Sequence, residues 1–169
     1  PSDLSADSIR DEKVRVLKSL RRIDRSNVRE KTVRGQYTAG FAQGKKVPGY
    51  LEEEGANKTS NTETFVAIRV DIDNWRWAGV PFYLRTGKRL PTKCSEVVVY
   101  FKTPELNLFK ETWQELPQNK LTIRLQPDEG VDIQVLNKVP GLDHKHNLQI
   151  TKLDLSYSET FNQTHLADA

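Results

Sequence analysis

Apolar positions recur along this chain at two different periods. Over residues 8–22 they fall at Ile9, Val14, Leu17 and Leu20, roughly one stripe of a helix. Ser8 is placed to cap it, Asp11 and Glu12 sit in the first turn, and Arg21 and Arg22 close it, as the helix dipole favours. Beyond Thr32 the period falls to two. Short runs of β-branched, aromatic and aliphatic residues predict strands over 32–37, 64–73, 80–84, 96–102, 121–125, 130–137 and 148–157. The alternation is cleanest where Val131, Ile133 and Val135 interleave with Asp132 and Gln134, and where Val70 and Ile72 interleave with Asp71 and Asp73.

The connections are uneven. Residues 23–31 alternate in charge without a period and read as a linker. Residues 38–62 form a polar excursion holding Gly40, Gly44, Pro48, Gly49 and Gly55, with three carboxylates at Glu52, Glu53 and Glu54. A loop of that length in a compact domain is functional, covers another surface, or carries a solvated charge run. The turn at 74–79 holds Trp75 and Trp77, expected to fold back onto the sheet as packing anchors. Residues 103–120 form an irregular segment, with Leu106, Leu108, Phe109 and Trp113 expected to plug apolar gaps. Strands that follow one another without helix-length spacers pair antiparallel. The expected fold class is therefore α+β: one helix, then a large, mainly antiparallel β-sheet. A fifteen-residue helix spans about 22 Å by 10 Å and cannot cover a sheet of six or more strands set ~4.8 Å apart. One face should need further helices or a second copy of the chain.

Composition narrows the function. At 169 residues and 36% hydrophobic the chain can build a real core, while its mean hydropathy of −0.66 is polar. No apolar run approaches the ~20 residues of a membrane helix, and no signal-peptide pattern opens the chain. The single Cys94 excludes an internal disulfide and agrees with a cytoplasmic setting. Lys and Arg number 26 against 23 Asp and Glu, for a net charge of +3 and a pI near 9.0. Because these charges are spread along the chain, neither nucleic acid nor membrane is the expected partner; a small anion suits the balance better. With no Met even at position 1, the chain is expected to be part of a longer protein.

The densest chemistry lies between the strands at 80–84 and 96–102. Arg85, Lys88, Arg89 and Lys93 occur there without a carboxylate, around Gly87 and Pro91. Cations on a short loop between two paired strands can converge on a phosphate, or can simply be solvated. His144 and His146 lie in a polar turn with Asp143, where a solvated loop outweighs a metal site, and His165 has no partner that the sequence reveals. No metal is expected.

Five ordered blocks give the chain a family. Gly79-Val80-Pro81-Phe82 with Leu84-Arg85-Thr86-Gly87-Lys88 resembles the signature of the glucose-6-phosphate dehydrogenase family, in its carboxy-terminal domain. Arg10-Asp11-Glu12-Lys13-Val14, Arg34-Gly35-Gln36-Tyr37, Pro48-Gly49-Tyr50 and Arg124-Leu125-Gln126-Pro127-Asp128-Glu129 agree in the same order. The resemblance covers essentially the whole chain and is closest to proteobacterial members. It implies a part of an oxidoreductase that converts D-glucose 6-phosphate to 6-phospho-D-glucono-1,5-lactone, with NADP as hydride acceptor, in the pentose phosphate pathway. Lys88 matches the family lysine that contacts glucose 6-phosphate, Lys93 falls where the family has a second basic residue, and Gln126 falls where it places a polar group near the sugar. The resemblance also implies a homodimer, or a dimer of dimers, joined through the sheet.

Two further expectations follow from it. Animal members hold a second NADP on this sheet with basic and aromatic side chains, whereas the matching positions here are Cys94, Val98, Asp132 and Gln134, with only Arg124 retained. No second coenzyme is expected. The family's Gly-rich coenzyme turn and its catalytic histidine block do not occur in this stretch, so no residue of this chain is assigned as catalytic or coenzyme-binding. The alternative function is a non-catalytic oligomerisation and anion-binding module. The enzyme reading predicts that the purified 169-residue chain forms no NADPH from glucose 6-phosphate and NADP; measurable turnover by the chain alone overturns that assignment.

Overall fold

The computed structural model describes residues 3–42, 44–110, 114–141 and 147–158. It divides into two compact units, Pro1–Pro91 and Thr92–Ala169.

The first unit opens with helix α1 (Ala6–Lys18). Its cap is Ser5, not Ser8: the Ser5 hydroxyl accepts the Ser8 N–H at 3.3 Å, three residues into the helix. The helix also stops short of Arg22. The Ser19 hydroxyl donates to the Arg15 carbonyl at 2.9 Å, a local bond that competes with the helical ladder. The chain then turns extended, and Leu20 bridges to Ile72. Arg21 N–H donates to the Asp71 carbonyl at 2.9 Å, and Asp73 N–H to the Ser19 carbonyl at 2.8 Å. Arg21 adds a two-pronged contact to Asp73, with Nη2 to Oδ1 at 2.7 Å. The segment read as a linker holds a one-turn helix, α2 (Val28–Lys31). It is too short to show a period.

Strands β1 (Thr32–Gly35), β4 (Phe65–Asp71) and β5 (Pro81–Gly87) form an antiparallel sheet in the order β1-β4-β5. The excursion between β1 and β4 is structured: β2 (Gly40–Ala42) and β3 (Lys45–Val47) pair as a hairpin, and Tyr50–Glu52 form a 3-10 turn. Ile72, 7% exposed, anchors the apolar side near the end of β4. Beside it the Lys31 ammonium meets the Asp71 carboxylate at 2.5 Å, both side chains largely covered. Trp77 packs edge-on against Phe82, with ring centroids 5.3 Å apart, as expected of an anchor. Trp75 does not: it is fully exposed. The turn bonds that fix this corner run through Asn74, whose side chain accepts the Trp77 N–H, and they point only one of the two rings inward.

The second unit is a four-stranded antiparallel meander, β6 (Ser95–Tyr100), β7 (Lys120–Gln126), β8 (Gly130–Lys138) and β9 (Leu148–Ser156), paired in sequence order. Its register stacks Val97, Ile123, Val131 and Leu155 in one row, and Val99, Leu121, Ile133 and Leu153 in the next. Those rows are one apolar face. The opposite face carries Thr122, Asp132 and Asp154 in a row, with Gln134 opposite Lys152. Gly130 is a steric requirement, because a Cβ there would lie 2.6 Å from both the Leu155 carbonyl oxygen and an Arg124 guanidinium nitrogen. Leu106 and Leu108, expected as plugs, are 69% and 76% exposed, while Phe109 is half-buried and Trp113 lies outside the described residues.

The expected α+β class, with antiparallel pairing throughout, is what the structure has. The pairing is distributed over three sheets, the largest of four strands, rather than over one of six or more. One expected pairing is absent. Strands β5 and β6 are not partners: β5 completes the first sheet against β4, and β6 opens the second against β7. The basic stretch is thus the crossing between two units, not the loop of a hairpin.

Two stability outcomes follow. The hydrogen bond from Lys31, against the opposing effect of burial, holds the Asp71 carboxyl below its ordinary 3.8. A depressed carboxyl stabilises the fold fully above that ordinary value, and the contribution is lost as pH falls through the lowered folded one. Urea midpoints taken between about pH 5 and pH 3 should therefore fall more steeply for the natural chain than for Asp71→Asn; parallel curves would remove the pair from the acid response. Gly130→Ala should cost about 1–3 kcal/mol in urea unfolding, because strand β9 must move to admit the methyl group.

Candidate functional site

Lys88 is positioned by sheet hydrogen bonds that end at one residue. Thr64, just before β4, donates its N–H to the Gly35 carbonyl and accepts the Lys88 N–H on its own carbonyl, both at 2.8 Å. Its hydroxyl accepts the Tyr37 N–H at 2.9 Å. Gly87 pairs with Phe65, and a Cβ on it would lie 2.9 Å from the Phe65 ring and 3.2 Å from the Thr64 carbonyl oxygen. Glycine is what lets β5 close against β4 at this end. The backbone of Lys88 is held, its side chain is exposed, and its ammonium has no ion pair among the described residues.

Arg89 behaves differently. Its φ of 54° lies in the left-handed region, which a residue with a long side chain rarely adopts. Its guanidinium pairs with the Glu53 carboxylate and lies over the Tyr37 ring, 5.1 Å from the centroid. The Tyr37 hydroxyl donates to the same Glu53 oxygen at 3.1 Å. Hydrogen bonding to Tyr37, then the Glu53 charge, holds the guanidinium pKa above its ordinary value. Tyr50 closes the group, edge-on to Tyr37 at 5.9 Å, its N–H donating to the Tyr37 carbonyl at 3.0 Å. The four cations are therefore not equivalent: Arg85 lies on β5 opposite Ala67, Arg89 is neutralised, and Lys88 is left without a counter-charge among the described residues.

In the second unit, Lys93 lies two residues before β6, and Gln126 is the last residue of β7, opposite Ser95. The two share one end of the β6–β7 ladder, and both are exposed. Lys88 belongs to the first unit. The positions matching the second-coenzyme site lie on the polar face of the second sheet. There the Arg124 guanidinium reaches Asp154 at 2.8 Å, with Asp132 3.3 Å from the same nitrogen. A cation already shared by two carboxylates is a poor phosphate ligand, so the residues present do not fit a coenzyme phosphate.

His144, His146 and His165 lie outside the described residues. Among the described residues no three His, Cys, Asp or Glu side chains converge as metal ligands. The Tyr37–Glu53–Arg89 group escaped sequence reasoning. The only signal was an acidic run, 52–54, facing a basic one 36 residues later.

Comparison with known proteins gives the family. The model of the glucose-6-phosphate dehydrogenase carboxy-terminal domain matches residues 1–169. The chain is 84% identical over its whole length to a glucose-6-phosphate 1-dehydrogenase of Dickeya dadantii, and 53% identical over 94% of its length to one of Buchnera aphidicola. It spans about a third of those relatives, 34% and 32%. A solved glucose-6-phosphate dehydrogenase in complex with its substrate, glucose 6-phosphate, superposes with a TM-score of 0.80 at 36% identity, over 97% of this chain and 31% of that one. A glucose-6-phosphate 1-dehydrogenase from Mycobacterium avium superposes at 0.73, with 35% identity, over 93% of this chain and 30% of its own. The chain belongs to the glucose-6-phosphate dehydrogenase family, of which it is the carboxy-terminal domain.

Proposed function

We propose that the protein carrying this chain is an NADP-dependent glucose-6-phosphate dehydrogenase of the cytoplasm, and that the chain supplies one edge of its substrate site and the sheet through which it dimerises. The reaction is oxidation of D-glucose 6-phosphate to 6-phospho-D-glucono-1,5-lactone, the first oxidative step of the pentose phosphate pathway. The observation that carries the reading is Lys88, fixed at its backbone by Thr64 and lacking a counter-charge among the described residues, beside an arginine that Glu53 has neutralised. The names of the relatives support the chemistry.

The role of this edge is binding. Lys88 and Lys93 place ammonium groups against the sugar phosphate, and Gln126 offers an amide to a sugar hydroxyl. A phosphate carries its charge in both ground and transition states, so these contacts position the substrate and do little to lower the barrier. NADP is assigned to the part of the protein beyond this chain. Among the described residues of the second unit no helix covers either face of its sheet. We assign one face to a second copy of the chain in a two-fold interface, burying on the order of 2,000 Å².

In the full-length protein, Lys88→Ala or Lys93→Ala should remove a charge-assisted contact of about 1.5–3 kcal/mol, one to two decades of affinity. The loss should appear in KM for glucose 6-phosphate, with kcat nearly unchanged. Steady-state kinetics that leave KM unaltered in both variants would take these lysines out of the site. Sedimentation over a range of concentrations should give a dimer or a dimer of dimers; a single monomeric species at high micromolar concentration refutes the assignment of the sheet face.

A further inference from the structure

The excursion between β1 and β4 ends on the turn that carries Lys88. Glu53 stands just after the 3-10 turn, its N–H donating to the Tyr50 carbonyl at 3.2 Å, and Gly49 closes the start of that turn. The Gly49 N–H donates to the Glu52 carboxylate at 3.1 Å, and a Cβ on Gly49 would lie 2.8 Å from the Ala39 nitrogen. From this base Glu53 reaches Arg89, the residue next to Lys88. Tyr37 touches both, its ring under the guanidinium and its hydroxyl on the Glu53 carboxylate.

Arg89 is the residue that most needs such support. A left-handed backbone is unfavourable for a residue with a long side chain, and persists only where surrounding contacts enforce it. Lys88 precedes that residue directly: its N–H is held by the Thr64 carbonyl at 2.8 Å, and the peptide on its other side leads into Arg89, so a held Arg89 fixes the second side of the Cα from which the ammonium leaves.

We propose that Glu53 and Tyr37 are positioning residues for substrate binding: they clamp Arg89 in its left-handed conformation and so hold Lys88 aimed at the phosphate of glucose 6-phosphate. The inference rests on the substrate reading given above. Under it the acidic excursion is neither a lid nor a solvated loop, but a brace for the phosphate-binding turn. Arg89 is part of the brace and does not itself bind the anion.

The sign of one measurement separates this from a general electrostatic effect. A carboxylate near a phosphate site repels the ligand, so neutralising Glu53 would lower KM if its charge alone mattered. A positioning role demands the reverse. In the full-length protein, Glu53→Gln should raise KM for glucose 6-phosphate about three- to tenfold, with kcat within about twofold. Tyr37→Phe, which keeps the ring under Arg89 and loses only the hydroxyl, should give a smaller rise of the same kind.

The decisive variant is Glu53→Gln combined with Lys88→Ala. If Glu53 acts through Lys88, its effect on KM disappears in the Lys88→Ala background, whereas general damage to the fold would persist there. A KM that falls or stays constant in Glu53→Gln overturns the proposal while leaving the substrate reading intact, provided that Lys88→Ala alone still raises KM. Equal effects of Glu53→Gln with and without Lys88 also overturn it. Constant KM in Lys88→Ala itself takes Lys88 out of the substrate site, and overturns this inference with it.

Discussion

Three hydrogen bonds on Thr64 hold together the end of the first unit that carries Lys88. Its N–H and hydroxyl reach Gly35 and Tyr37, two residues apart, and its carbonyl reaches Lys88, far along the chain from both. Two of these bonds extend the β1-β4-β5 ladders by one step, and the third brings the excursion onto the same corner. Backbone hydrogen bonds tolerate little displacement, so Lys88 inherits the rigidity of a sheet although it stands on a turn. The steric closure at Gly87 reinforces this, because β5 could not approach Phe65 and Thr64 so closely with any larger residue. Rigid backbone with a long, mobile ammonium is a suitable arrangement for a point-charge ligand: the site is fixed, and only the last few bonds adapt.

How much of this was legible in the sequence depended on the range of the interaction. Alternation is a local property, so β7, β8 and β9 appeared within a residue or two of their observed ends. Their register then follows from keeping Val131, Ile133 and Leu153 on one face. The helix was visible but its ends were not, because Ser5 and Ser8 are equally plausible caps by residue type. Only geometry shows which hydroxyl accepts the bond. The pairing of β5 with β6 was misjudged for a related reason. Adjacent strands are usually partners, but here β5 pairs along its whole length with β4, and β6 with β7.

The candidate site divides in the same way. Lys88 and Gln126 could be named as candidates because they lie in short motifs that a family resemblance can carry, and Lys93 because it stands shortly after one. Glu53 lies in an excursion whose composition, rich in Gly and acid, looks the same whether it is solvated or braces a turn, and Tyr37 closes a strand-like run that gives no sign of a partner. Nothing periodic links residue 53 to residue 89. The pair is visible only once the intervening strands have brought the two ends together, and Trp75 shows the converse case. An aromatic residue in the right company was expected to pack, and the turn leaves it in water.

Charge balance explains why composition was a poor guide to the anion site. The chain's excess of +3 is small, and two of its arginines, Arg89 and Arg124, are taken up by carboxylates of the chain itself. Arg89 is shared between Glu53 and Tyr37, and Arg124 lies between Asp132 and Asp154. Each has a planar fork that could bind two phosphate oxygens, and each uses it internally. Lys88 and Lys93 are left without an ion pair among the described residues. A site built from lysines attracts a phosphate through charge rather than through a fixed fork, and it must obtain its directionality from the backbone beneath. That requirement is met for Lys88 by the Thr64 hydrogen bond and the constrained residue that follows it. The two units use their arginines differently: the first ties Arg89 of the turn after β5 to Glu53 and Tyr37, whereas the second uses Arg124 to join β7, β8 and β9 across a polar face, with Gly130 making room for it.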